Sequence, residues 1–218
     1  MQGSHQVSTS HNSAFPIATV AIAISSAFPE VRYLILGHFY KQCPFLVPFY
    51  IPKTEGTSEE DHYKSLGYEC SGGTVEPQDK FLKRMTGLVR LFAAIISSLP
   101  PPGINNNPFG LELGWAFLAR ILNLRPRQDY TATALYEFLD VAGHALQRQY
   151  GKQFWKLLHV LIRDYLPKIN EVTDPAQSGP VVRLKGFLEG CIKNRTLKIP
   201  DGYLTSRWWK NPSSGFGF

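Results

Sequence analysis

A chain of 218 residues, 44% hydrophobic and 18% charged, can bury one sizeable core, and that balance excludes wholesale disorder. Basic residues outnumber acidic ones by 23 to 17, and the net charge of +6 favours an anionic partner such as nucleic acid, a phosphorylated small molecule, an acidic protein or a membrane surface. Cys43, Cys70 and Cys191 lie far apart with no C-x-x-C spacing, which argues against a disulfide framework or a cysteine zinc site and fits a reducing compartment.

The opening stretch "MQGSHQVSTSHN" is polar and aperiodic, and residues 1–13 are expected to be a flexible lead-in or an expression remnant. The apolar run from Ala14 to Ile24 is too short to span a bilayer, and no basic segment precedes it as in a secretory signal. Prolines and capping residues then mark helices at Pro16–Ser26, Pro29–Gln42, Ser58–Leu66, Pro77–Leu99 and Leu111–Asn123. Further helices are expected at Asp129–Gln149, Gly151–Ile169 and Gly179–Asn194. The stretches between them, such as "ECSGGTVEP" and "PPPGINNNPFG", are turn-rich connections. Only "LVPFYIP" reads as extended.

This pattern predicts an all-α domain over residues 14–210, a HEAT-repeat-like helical stack, with residues 211–218 as a flexible tail. An irregular helical domain is the alternative. The run "QFWKLLHVLIRDYL" is apolar around most of its circumference and is expected at the centre of the stack, with His159 as a satisfied buried histidine. His144 is read in the same way. Glu59, Glu60 and Asp61 read as a solvated helix start. Trp208 and Trp209 read as the finish of the core.

No H-E-x-x-H, G-x-S-x-G, phosphate-loop or dinucleotide signature occurs, and binding or scaffolding is expected rather than catalysis. The most informative segment is "PQDKFLKRMTGLVRLFAAI", Pro77 to Ile95. At about 100° per residue, Lys80, Lys83, Arg84, Gly87 and Arg90 share one side, and Phe81, Met85, Leu88, Val89 and Phe92 share the other. The apolar side faces the core, so the cations are expected outward as a convergent patch, with Gly87 leaving room for a bulky ligand. Three cations within five residues repel one another, and a polyphosphate would remove that cost through charge-assisted hydrogen bonds. His38 and Lys41, one turn apart, and Lys193, Arg195 and Lys198 could line the same pocket.

The segments "FYKQCPF", "FLKRMTGLVRLFAAI" and "GLELGWAFLARILN", in this order from about Phe15 to Trp209, resemble the C-terminal domain of the GLE-one mRNA export factors. The resemblance implies a HEAT-like domain at the cytoplasmic face of the nuclear pore that activates a DEAD-box RNA-dependent ATPase. It implies inositol hexakisphosphate as a tether between the two proteins, in fungi more than in animals, held by Lys80, Lys83, Arg84 and Lys41. It further implies a small FG-repeat nucleoporin as second partner, RNA contacted only indirectly, and no role for DNA or membrane. Full-length members carry a coiled-coil region before this domain, so the chain is expected to be an excised piece. A basic RNA-binding module and a pure scaffold are the competing readings.

Overall fold

The computed structural model describes residues 2–47, 51–128 and 130–205. Among them the chain is a stack of helices with a single two-stranded hairpin. The long helix α5 (Gln78–Ser97) lies at the centre, contacting α1 (Gln2–Thr9), α2 (Ala14–Ala27) and α7 (Thr131–Tyr150). Its side chains explain that position. Phe81, Met85, Leu88, Val89, Phe92 and Ile96 recur at spacings of three and four, and each is at most 3% exposed. Burying a side chain of this size contributes about 1.5–3 kcal/mol, so α5 organises the core.

The chain leaves α5 through a Pro- and Asn-rich connection in which Asn107 Nδ2 donates to the carbonyls of Ile95 (2.7 Å) and Ser98 (3.1 Å), closing the helix end. The short helix α6 (Glu112–Leu122) then carries it back to α7, beside α5. Leu82 and Met85 face Tyr130 and Ala134, while Arg90 faces Glu137 and Phe92 faces Phe138. The two long helices therefore run in the same direction, the arrangement of successive inner helices in a solenoid. On the other side of α7 lies α10 (Gly179–Asn194).

The C-terminal half departs from the expected central helix. The run from Lys152 breaks into α8 (Lys152–Val160), a π-helical turn (Leu161–Tyr165) and α9 (Leu166–Val172). Pro167 lacks the N–H that would reach back four residues to Arg163, and the helix widens just before it. Phe154, Leu158, Leu161, Tyr165 and Ile169 form one buried stripe along this run, with Leu166 beside it, and His159 is exposed. The run is peripheral because Lys156, His159 and Arg163 line its outer face. His144 is half-buried, with its Nδ1 3.1 Å from the Leu197 carbonyl.

The polar opening is not a loose lead-in. Gln2–Thr9 form α1, with Ser4 and Val7 buried against α5. The acidic cluster behaves as its sequence implies. Ser58 accepts from the Asp61 amide at 3.1 Å to start α4 (Glu59–Ser65), and Lys64 pairs with Glu60 at 2.7 Å. The connection read as a turn is a hairpin, β1 (Cys70–Ser71) and β2 (Thr74–Val75), whose tight turn places Gly72 at φ 57° and Gly73 at φ 77°. Most of "LVPFYIP" and both Trp208 and Trp209 lie outside the described residues.

Candidate polyanion site

The first two turns of α5 set out the site. Phe81 anchors the helix, 1% exposed, with Tyr68 stacked on it at 3.6 Å and Phe45 edge-on at 5.6 Å. With that side chain fixed inward, Lys80 and Lys83 must point outward. Both are exposed, and neither has a carboxylate ion pair among the described residues.

Arg84 differs from them. Its side chain is 20% exposed, its Nη2 donates to Glu76 Oε2 (2.6 Å) and to the Gly67 carbonyl (2.8 Å), and its Nε lies 3.3 Å from Glu76 Oε1. Glu69 adds a second carboxylate 3.6 Å from Nε. The acids come from the two ends of the hairpin, where Glu76 N donates to the Glu69 carbonyl at 2.8 Å and Glu69 N donates to Glu76 Oε2 at 3.1 Å. The cluster is thus two free lysines beside a neutralised arginine, and not a fully uncompensated triad.

Lys41 is brought to the same end of the molecule. It sits exposed in the last turn of α3 (Pro29–Gln42), and the Gln42 carbonyl and Pro44 pack against Gly67, the residue whose carbonyl holds Arg84. Just beyond, the Cys43 thiol is pushed up to about 12 by burial. His38, one turn back on α3, is exposed on a neighbouring face, at the rim of an apolar groove of about 410 Å³ that includes Leu34, Phe39 and Leu91. Partial burial and surrounding positive charge, Lys41 included, hold its pKa below the ordinary histidine value.

Two expected members are absent from this face. Arg90 is 5% exposed and bridges Glu137 (2.6 Å) and Asp140 (2.9 Å) of α7. Its charge is spent inside the stack, where Nη1 alone donates to both carboxylates. Gly87 offers no room to a ligand, because α1 crosses it there. A Cβ on residue 87 would run into the Ser4 carbonyl and stand 2.9 Å from Ser8 Cβ. The absent side chain admits a helix instead.

Lys193, Arg195 and Lys198 are exposed but lie elsewhere. Arg195 ends α10 in the left-handed conformation at φ 49°, and the chain then seats Leu197 against Gly143, with Leu197 N donating to Gln147 Oε1 at 3.0 Å. That is the far half of α7, whereas Lys80 and Lys83 stand beside its start at Tyr130. At about 1.5 Å per residue the two basic groups are separated by roughly 20 Å along the helix, too far for one inositol phosphate to span.

Next to the lysine patch opens a cleft of about 430 Å³ bounded by Tyr63, Tyr68, Glu76, Gln78 and Arg127. Sequence reasoning named none of these. The signal was the Gly72-Gly73 pair with an acid at each hairpin end, which predicts a turn that sets Glu69 beside Glu76. Among the described residues no group of His, Cys, Asp and Glu could hold a metal ion, and no helix is long and apolar enough to cross a membrane.

A family model described as GLE1-like protein matches residues 1–162. The mouse mRNA export factor GLE1 is 46% identical over 212 residues, covering 96% of this chain and 30% of its own length. The Drosophila melanogaster Gle1 is 35% identical, covering 90% of this chain and 29% of its own length. The chain therefore spans about a third or less of these relatives. Among solved structures, a complex described as the S. cerevisiae Dbp5 C-terminal domain bound to a Gle1 variant and IP6 matches with a TM-score of 0.77 at 25% identity, over 93% of this chain and 68% of the matched one. A second such complex matches with a TM-score of 0.78 at 24% identity, a likeness of fold.

Proposed function

From the premise that this chain belongs to the GLE1-like protein family, we propose that it is a non-catalytic mRNA-export module that binds inositol hexakisphosphate and a DEAD-box RNA-dependent ATPase. Its place of action is the cytoplasmic face of the nuclear pore and the adjoining cytoplasm. The observation that carries the reading is the pair of exposed, carboxylate-free lysines, Lys80 and Lys83, fixed outward by the buried Phe81 and accompanied by Lys41. A matched complex holds Dbp5, Gle1 and IP6 together, which is the arrangement this patch would serve.

The physical mechanism is linkage. A DEAD-box enzyme clamps RNA between two lobes, and a rigid helical block gripping them through a shared polyphosphate favours a separated arrangement that releases RNA. The block shifts that equilibrium only by the difference between its affinities for the two arrangements. A six-phosphate ligand desolvated between basic surfaces supplies such a difference, and added salt weakens it. Lys80, Lys83 and Lys41 are the phosphate ligands, with Arg84 contributing through its Nη1. His38 is peripheral to the socket. A small FG-repeat nucleoporin is the second partner. RNA is reached through the ATPase, because Phe81 and Phe92, the aromatics interleaved with these cations along α5, are buried and cannot stack on bases.

The test is turnover of the DEAD-box partner with RNA, this chain and inositol hexakisphosphate. Wild type should stimulate turnover, and Lys80→Gln with Lys83→Gln should lose most of the polyphosphate-dependent part. Equal stimulation by both proteins would refute the assignment, and tight RNA binding that competes with the polyphosphate would favour an RNA-binding module.

A further inference from the structure

We propose that Glu76 sets the strength of the polyphosphate socket, acting as a resident counter-charge that keeps the Nε–Nη2 edge of Arg84 for the protein and leaves the ligand to the lysines and to Nη1. The inference rests on the reading that this patch takes inositol hexakisphosphate. A guanidinium meets a phosphate best through a two-nitrogen edge. On Arg84 the Nε–Nη2 edge is already taken by Glu76 at 3.3 and 2.6 Å, and the Gly67 carbonyl takes a further Nη2 proton at 2.8 Å. Only Nη1 has no protein partner among the described residues.

Glu76 is not poised to leave. Its side chain is 9% exposed, and its Oε2 also accepts from Glu69 N, so the carboxylate is part of the hairpin base. Displacing it would strand a buried charge, which costs more than a phosphate on the rim would return. An incoming polyanion therefore meets free charge at Lys80 and Lys83, and a field reduced by the Glu76 carboxylate and the exposed Glu69 behind it. The residue that limits affinity is thus an acid eight positions upstream of the arginine.

Calorimetry with inositol hexakisphosphate at two salt concentrations, on wild type, Glu76→Gln and Lys83→Gln, tests this. Adding one net positive charge a few ångströms from the ligand should tighten Glu76→Gln by roughly five- to tenfold at low salt, with a steeper loss on adding salt. If Glu76 merely braced α5, its loss would weaken binding and flatten the salt dependence. Lys83→Gln weaker than wild type, with Glu76→Gln unchanged or weaker, overturns the inference and leaves the site standing. Wild type that does not bind, or Lys83→Gln binding as wild type does, overturns both. Should Glu76→Gln fail to fold, a crystal structure of the wild-type complex decides. Glu76 still on Nε and Nη2 supports the proposal, and a phosphate in its place refutes it.

Discussion

The backbone carbonyl of Ser4 fills the space that a Cβ on Gly87 would need. This one crossing explains why the basic side of α5 ends where it does. Beyond the second turn α1 covers the helix, so only Lys80, Lys83 and part of Arg84 face outward. Gly87→Ala would force α1 away from α5, because backbone cannot yield as a flexible side-chain tip can. The variant should lose about 2–4 kcal/mol of stability, seen as a lower thermal midpoint. Its polyphosphate affinity, measured on the folded fraction, should stay close to wild type.

The buried Arg90 triad makes a second prediction. Arg90→Met would leave Glu137, 4% exposed, without its cation. Removing one partner of a buried pair costs about 3–5 kcal/mol, whereas replacing both by apolar groups costs far less. Chemical denaturation should therefore rank Arg90→Met with Glu137→Leu above Arg90→Met alone, and the double-mutant cycle should give a coupling of about 1–3 kcal/mol.

Much of the helical order is legible in the sequence, because prolines and turn residues carry it. Pro29–Gln42 and Gly179–Asn194 coincide with the observed helices α3 and α10, and the others agree at their ends to within a few residues, apart from the run after Gly151. The site is legible only in part. A helix wheel places Lys80 and Lys83 correctly, since their exposure follows from Phe81 on the opposite face. It fails for Arg84 and Arg90, whose acids lie across a hairpin or 47 and 50 positions away on α7. It fails for α1 because Ser4 and Val7 give too short and polar a stripe to register as amphipathic.

Acidification gives a third prediction. Burial lowers the folded-state pKa of His11, with Arg90 the next cause, and partial burial lowers that of His38. A histidine depressed in the folded state binds fewer protons there than in the unfolded chain, so stability rises with pH across that window and falls as pH drops through the unfolded value near about 6.5. Denaturation midpoints between pH 7.5 and about 5.5 should decline, and His11→Asn with His38→Asn should flatten the decline.

Thiol labelling gives a fourth. Cys43 is fully buried, with its pKa pushed up to about 12, and Cys191 is 7% exposed with its pKa raised to about 11, again chiefly by burial. Only the thiolate reacts, so both should resist maleimide in the native protein while the half-exposed Cys70 labels first. Mass spectrometry of briefly labelled protein should find one modified site, at Cys70.

The central claim is that a fixed pair of outward lysines forms the grip on a many-phosphate ligand. Titration calorimetry of inositol hexakisphosphate into wild type and into Lys80→Gln with Lys83→Gln, with thermal melts as a control on folding, tests it most directly. Two lost charge-assisted contacts predict at least a roughly tenfold drop in affinity at an unchanged melting temperature. Equal affinity in the two proteins would contradict the account.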